Sequence, residues 1–141
     1  MSNQGKIVQA ATPIEVYRNP AAEFVAGFIG NPPMNFLPAE PRGSGKWNVA
    51  GQLIDGPAGN APLKFAVRPE DVRPGDHGLP ATVRLVEPLG AHLLVTCDVG
   101  GTMFRAVLDS DLTLKPGDAL TLSPQQCRLR WFDPTTTLAV A

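Results

Sequence analysis

Apolar residues change their spacing along this chain. Between Thr12 and Gly30 they follow a helical period, with Phe24, Val25, Phe28 and Ile29 on one broad face. Two helix starts precede that face. Thr12 caps, Pro13 takes the first helical position and Glu15 completes a capping box for a short helix ending near Tyr17. Asn19, Pro20 and Glu23 then open a second helix. Gly30 suits the left-handed residue after a helix end, and Asn31-Pro32-Pro33 forbids continuation. Upstream, Gly5 to Gln9 reads as a short strand.

Beyond the Pro-Pro step the period becomes two. Met34 to Leu37 is an apolar strand, followed by strand candidates at Trp47 to Val49, Gln52 to Ile54 and Lys64 to Arg68. Ala81 to Leu89 starts in alternation, which assigns Ala81, Val83 and Leu85 to one face. His92 to Val99 and Thr102 to Leu108 flank Gly100-Gly101, a two-residue hairpin signal. Lys115 to Asp118 is a turn. Ala119 to Leu122 and Cys127 to Phe132 complete the series, the latter with Cys127, Leu129 and Trp131 on one face. The expected fold is therefore mainly β. It is a small barrel or sandwich preceded by a short strand and two short α-helices.

Composition narrows the function. A hydrophobic fraction of 43% supports a packed core, and 15 prolines with 14 glycines fit many short elements. The net charge of −1 offers no basic excess for a phosphate backbone, so no nucleic-acid partner is expected. No apolar run reaches the roughly 20 residues that span a bilayer, and the N-terminus MSNQGKIVQ has no apolar leader core. Direct membrane insertion is not expected. Cys97 and Cys127 both sit in strand-like patterns and read as buried thiols. Two cysteines and two histidines at scattered spacing make no metal site.

Candidate chemistry is sparse. GSGK at 43–46 is a fragment of a phosphate-binding loop, but Glu40 stands where the leading glycine belongs and Trp47 where the metal-binding hydroxyl belongs. It reads as a turn. His77 lies in a polar turn and His92 at a strand start, neither paired with a recognisable nucleophile. No catalytic residue and no cofactor are expected. Arg68-Pro69-Glu70 forms a rigid corner at the end of an apolar strand. It reads either as a local salt bridge or as a contact with a partner subunit.

Residues 5–37, GKIVQAATPIEVYRNPAAEFVAGFIGNPPMNFL, closely resemble the end of the ATPase domain in the ATP-binding subunits of bacterial carbohydrate-import ABC transporters. The maltose and glycerol-3-phosphate types are the most similar. FAVRPEDV (65–72) and EPLGAHLLVTCDVGGTMFRAVL (87–108) are similar, more loosely, to the regulatory barrel that follows in that family, an OB-fold-like domain called TOBE.

The resemblance implies two domains: 1–31, the remnant of an ABC ATPase domain, and 32–141, the regulatory β-barrel. The family's Walker A loop, LSGGQ signature, Walker B strand and switch histidine do not occur in these residues. The implied role is non-catalytic: pairing ATPase subunits and receiving regulatory partners during sugar or glycerol-3-phosphate uptake. The alternative is a barrel that binds a small oxyanion or sugar. Implied partners are a second copy or another ATPase subunit, the membrane subunits through the full-length chain, and a regulatory protein. The implied location is cytoplasmic, peripheral to the inner membrane. Phe28, Ile29, Pro33, Met34, Asn35, Arg68 and Glu70 are the expected interdomain or dimer contacts. The helix face at Phe24, Val25, Phe28 and Ile29 is expected to pack on its own barrel or on a second chain, with a swap through the Pro-Pro hinge as one route.

Overall fold

The computed structural model describes residues 33–140, together with the backbone of two short N-terminal strands, β1 (Ser2–Asn3) and β2 (Lys6–Ile7). These two pair antiparallel, and β2 falls inside the strand expected at Gly5 to Gln9. The two helices expected between Thr12 and Gly30, with Phe28 and Ile29, lie outside the described residues. Among the described residues the helical elements are two 3-10 turns, Pro69–Asp71 and Gln126–Arg128.

The remaining strands are β3 (Asn35–Gly43), β4 (Lys46–Val49), β5 (Gln52–Asp55), β6 (Leu63–Val67), β7 (Val72–Leu89), β8 (His92–Val99), β9 (Thr102–Asp109), β10 (Ala119–Pro124) and β11 (Arg130–Phe132). They form two antiparallel sheets, ordered β11-β6-β3-β4-β5 and β10-β7-β8-β9. One apolar core lies between them. Leu37, Trp47, Phe65 and Trp131 enter from the first sheet and Val83, Val95, Phe104 and Leu122 from the second. The architecture is mainly β and OB-like.

Strand β3 runs six residues past the expected end at Leu37. Its prolines mask it in the sequence, yet the register accommodates them. Residues 35–39 pair with β6 and residues 39–43 with β4, so Pro38 and Pro41 each have a neighbour on one side only. A missing N–H is tolerated there. The GSGK stretch is the β3–β4 turn, with Gly43, Ser44 and Gly45 all at positive φ. Gly100-Gly101 forms the β8–β9 hairpin as expected, both residues at positive φ, with Asp98 Oδ1 accepting from the Gly101 N–H at 2.8 Å.

Two expectations are corrected. Leu85 does not share the face of Ala81 and Val83. A bulge at Arg84 shifts the β7–β8 register, so Val86 turns inward and Leu85 is 49% exposed. Cys127 is not a buried strand residue. It lies exposed in the second 3-10 turn, and β11 begins only at Arg130. Cys97 is buried, and burial pushes its thiol up to about 11.

Strand β7 also breaks against β10. Leu122 pairs with Pro74 while Thr121 pairs with Pro80, so residues 75–79 loop out. His77 sits on that loop and is exposed. Gly78 closes it at φ +149°, where an added Cβ would lie 2.3 Å from the Leu122 carbonyl oxygen. Only glycine fits that approach.

Candidate functional site

Asn35 opens β3 and lies opposite Val67, the last residue of β6. This register brings Met34-Asn35 and Arg68-Pro69-Glu70 to one corner. Asn35 is buried, and its amide is fully engaged. Nδ2 donates to the Arg105 carbonyl at 2.8 Å and to the Val67 carbonyl at 3.3 Å, while Oδ1 accepts from the Arg105 N–H at 2.8 Å. The exchange with Arg105 reproduces the double hydrogen bond of a neighbouring strand. Arg105 belongs to β9 in the four-stranded sheet, whereas β3 and β6 belong to the five-stranded one. One side chain therefore joins the two sheets.

Arg68 is 4% exposed, a rare position for a guanidinium. Its carbonyl accepts from the Asp71 N–H at 2.9 Å, which closes the 3-10 turn. Asp71's own carbonyl accepts from the Gln125 N–H at 2.8 Å and ties the corner to the segment before β11. Burial, then the neighbouring Glu70, holds the Asp71 carboxyl above its usual range, against the opposing pull of Arg128, Arg68 and Arg130. Glu70 is exposed. Met34 is buried on the outer face of the five-stranded sheet with Ala66 and Phe132, beside the half-buried Phe36. The Phe36 and Phe132 rings meet edge to face at 6.0 Å. Pro33 stands exposed at the entry.

Of the expected contact residues, the structure collects Met34, Asn35, Arg68 and Glu70 at this corner, with Pro33 adjoining. Phe28 and Ile29 fall outside the described residues. The sequence reading missed Arg105, which takes part through its backbone and leaves no side-chain signal. It also missed Phe132 and the Asp71–Arg128–Arg130 surroundings, which only the fold brings together.

Among the described residues, neither of two cavities sets a serine or cysteine beside a histidine. His92 lines a cavity of about 570 Å³ with Glu70, Arg73 and Asp109, without serine or cysteine. A second cavity, of about 590 Å³, has Thr82, Arg84, Asp98 and Thr121 in its wall. Among the described residues no three His, Cys, Asp or Glu groups gather as metal ligands, and no helix is long and apolar enough to cross a membrane.

Comparison with known proteins bears on this corner. Residues 65–132, from β6 through the Arg68–Asp71 turn to β11, match the family model described as TOBE domain. These residues are a TOBE domain. The chain is 38% identical over 147 residues to an uncharacterized ABC transporter ATP-binding protein, y4oS, of Sinorhizobium fredii, covering 99% of this chain and 40% of that protein. It is 39% identical over 150 residues to the sn-glycerol-3-phosphate import ATP-binding protein UgpC of Ralstonia nicotianae, covering 94% and 41%. The chain thus spans about two fifths of the length of these relatives. It matches the C-terminal part of the ATP-binding subunits of sugar and glycerol-3-phosphate ABC importers. The TOBE match begins at β6, so β3 to β5 complete the same sheet from outside it. In fold the chain is similar to the cytoplasmic molybdate-binding protein ModG, with a TM-score of 0.54 and 16% identity, over 71% of this chain and 96% of that one.

Proposed function

We propose that this chain is the non-catalytic regulatory end of an ABC-importer ATP-binding subunit. In this reading it pairs two such subunits and couples them to regulatory partners during sugar or glycerol-3-phosphate uptake. The observation that carries it is the Asn35 corner. The residue two positions after exposed Pro33 is bonded to β6 and β9 at once. A displacement of the preceding segment therefore reaches both sheets together, which is what a rigid relay between an ATPase domain and a pairing barrel requires. Pro33, Met34, Asn35, Arg68 and Glu70 form that joint, with Phe28 and Ile29 on its ATPase side. The partners are a second ATP-binding subunit, the membrane subunits reached through the full-length protein, and a regulatory protein. The place of work is the cytoplasmic face of the inner membrane.

A second reading, an oxyanion- or sugar-binding barrel, is favoured by the fold shared with ModG, which binds molybdate. Calorimetric titration of the chain with ATP, glycerol 3-phosphate, maltose and molybdate separates the two. Silence with all four is the expected result. One-site heat with molybdate or a sugar would replace the first reading by the second, and stoichiometric ATP binding would overturn the non-catalytic assignment.

A further inference from the structure

Strands β3, β6 and β11 carry an apolar strip on the face turned away from the core. Leu37, Phe65 and Trp131 point inward, so Phe36, Ala66 and Phe132 beside them point outward, with Met34 on the side of Phe36. On an open sheet face such side chains stand in water. Here Ala66 and Phe132 have no exposed surface and Met34 is 6% exposed, so a layer covers them. Among the described residues, the partly buried apolar side chain packed on this strip is Phe36, itself only half-buried. Lys64 pairs with Phe132 and Arg130 with Ala66, which puts two basic residues on the same face.

The chain carries a matching segment next to the strip. Phe24, Val25, Phe28 and Ile29 recur at helical spacing, and Glu23 precedes them with a charge opposite to that of Lys64 and Arg130. Asn31-Pro32-Pro33 ends the run, and Pro33 adjoins Met34 at the end of the strip. The four steps from Ile29 to Pro33 span at most about 14 Å. Phe36 lies about 10 Å from Pro33 along the strand, so Ile29 can fold back as far as Phe36. The exposed Leu53 shares the outward face, but it is level with Glu40 and two strands across. That is roughly 22 Å from Met34, beyond the reach of Ile29.

We infer that residues 24–29 dock on the Met34–Phe36–Phe132 strip of their own chain, with Glu23 towards Lys64 and Arg130. The inference goes beyond the transporter reading and does not rest on it, since it concerns how this chain covers its own sheet.

The test is amide hydrogen exchange on the full chain. A segment this short is a marginal helix in water, so slow exchange of its amides reports docking. The expected result is exchange of residues 25–29 at least about tenfold slower than in a peptide of residues 12–33. Phe36→Asp should remove that protection by about tenfold or more while the Cys97 amide in the core stays protected. Phe36→Gln supplies a second variant if Phe36→Asp does not fold, with a loss in the same direction. Leu53→Asp and Met103→Asp, at exposed apolar residues away from the strip, should leave the protection unchanged. Exchange as fast as in the peptide, or equal protection in the folded Phe36 variants, would overturn the inference. So would protection that rises with chain concentration, which would put the segment on a second copy.

Discussion

The two sheets fill one core by different means. The five-stranded sheet adds a cluster of large rings, Trp47, Phe65 and Trp131, to its aliphatic groups Leu37, Val49 and Val67. Trp131 lies with its ring centroid 5.5 Å from both Trp47 and Phe65, and Trp47 Nε1 donates to the Pro57 carbonyl at 2.9 Å. Gly56 lies against both indoles, where an added Cβ would come within 2.7 Å of Trp131. Its register shifts once, at the β3–β4 turn. The four-stranded sheet contributes mainly aliphatic side chains and bends through its backbone. Strand β7 breaks register twice, once against β8 and once against β10. The rings meet tilted and edge to face, at 44° and 79°, while the four-stranded sheet curves through its two bulges.

Breaking the ring cluster should cost most. Trp131→Ala is expected to lower unfolding stability by about 3–5 kcal/mol, since a large side chain buried in the core is removed. Denaturant unfolding checks this, and a loss below about 1 kcal/mol would mean the rings do not organise the sheet. Gly78→Ala tests the opposite device. Its methyl group meets the Leu122 backbone in a strained conformation, so a loss of about 2–4 kcal/mol is expected. A neutral result would show that the 75–79 excursion is loosely held.

Asn35→Ala probes the link between the sheets. It leaves the Arg105 N–H and C=O without their partner and should cost about 2–3 kcal/mol. If this loss adds independently to that of Trp131→Ala, the joint and the ring cluster are separate units; a coupling energy above about 0.5 kcal/mol would join them.

The smallest effect lies at acidic pH. N–H donation from Thr136 and Thr135 holds the Asp133 carboxyl below its ordinary range, and Lys115 does the same for Asp118 through backbone and side-chain bonds. Each folded value lies below the unfolded one, roughly 3.9. Their stabilisation is therefore full above the unfolded value and is lost as pH falls through the folded one. Asp71 has the opposite sign. Its folded value is raised, so its charged form weighs against the fold above that value and the penalty lifts as pH falls. Asp133→Asn should therefore lower the unfolding midpoint at pH 7 and leave it unchanged at pH 2. Equal shifts at both would trace the effect to packing.

The contrast between the sheets also explains what was legible in the sequence. The Gly100-Gly101 hairpin and the GSGK turn announce themselves, because their backbones require positive φ. Leu85 misled because nothing in the run of residues around Arg84 marks the bulge that flips the strand's face. Strand β3 was shortened by prolines that only the offset pairing with β4 and β6 makes tolerable. At the site, Met34-Asn35 and Arg68-Pro69-Glu70 stand out as local motifs. Their meeting depends on the register of Asn35 with Val67, and the bond to β9 passes through the Arg105 backbone, which any residue type supplies.

The most direct test of the pairing role is the solution mass of the chain by light scattering over a concentration series. The account predicts a mass that rises with concentration from 15.0 kDa towards twice that value. A mass fixed at the monomer value across the series would contradict it.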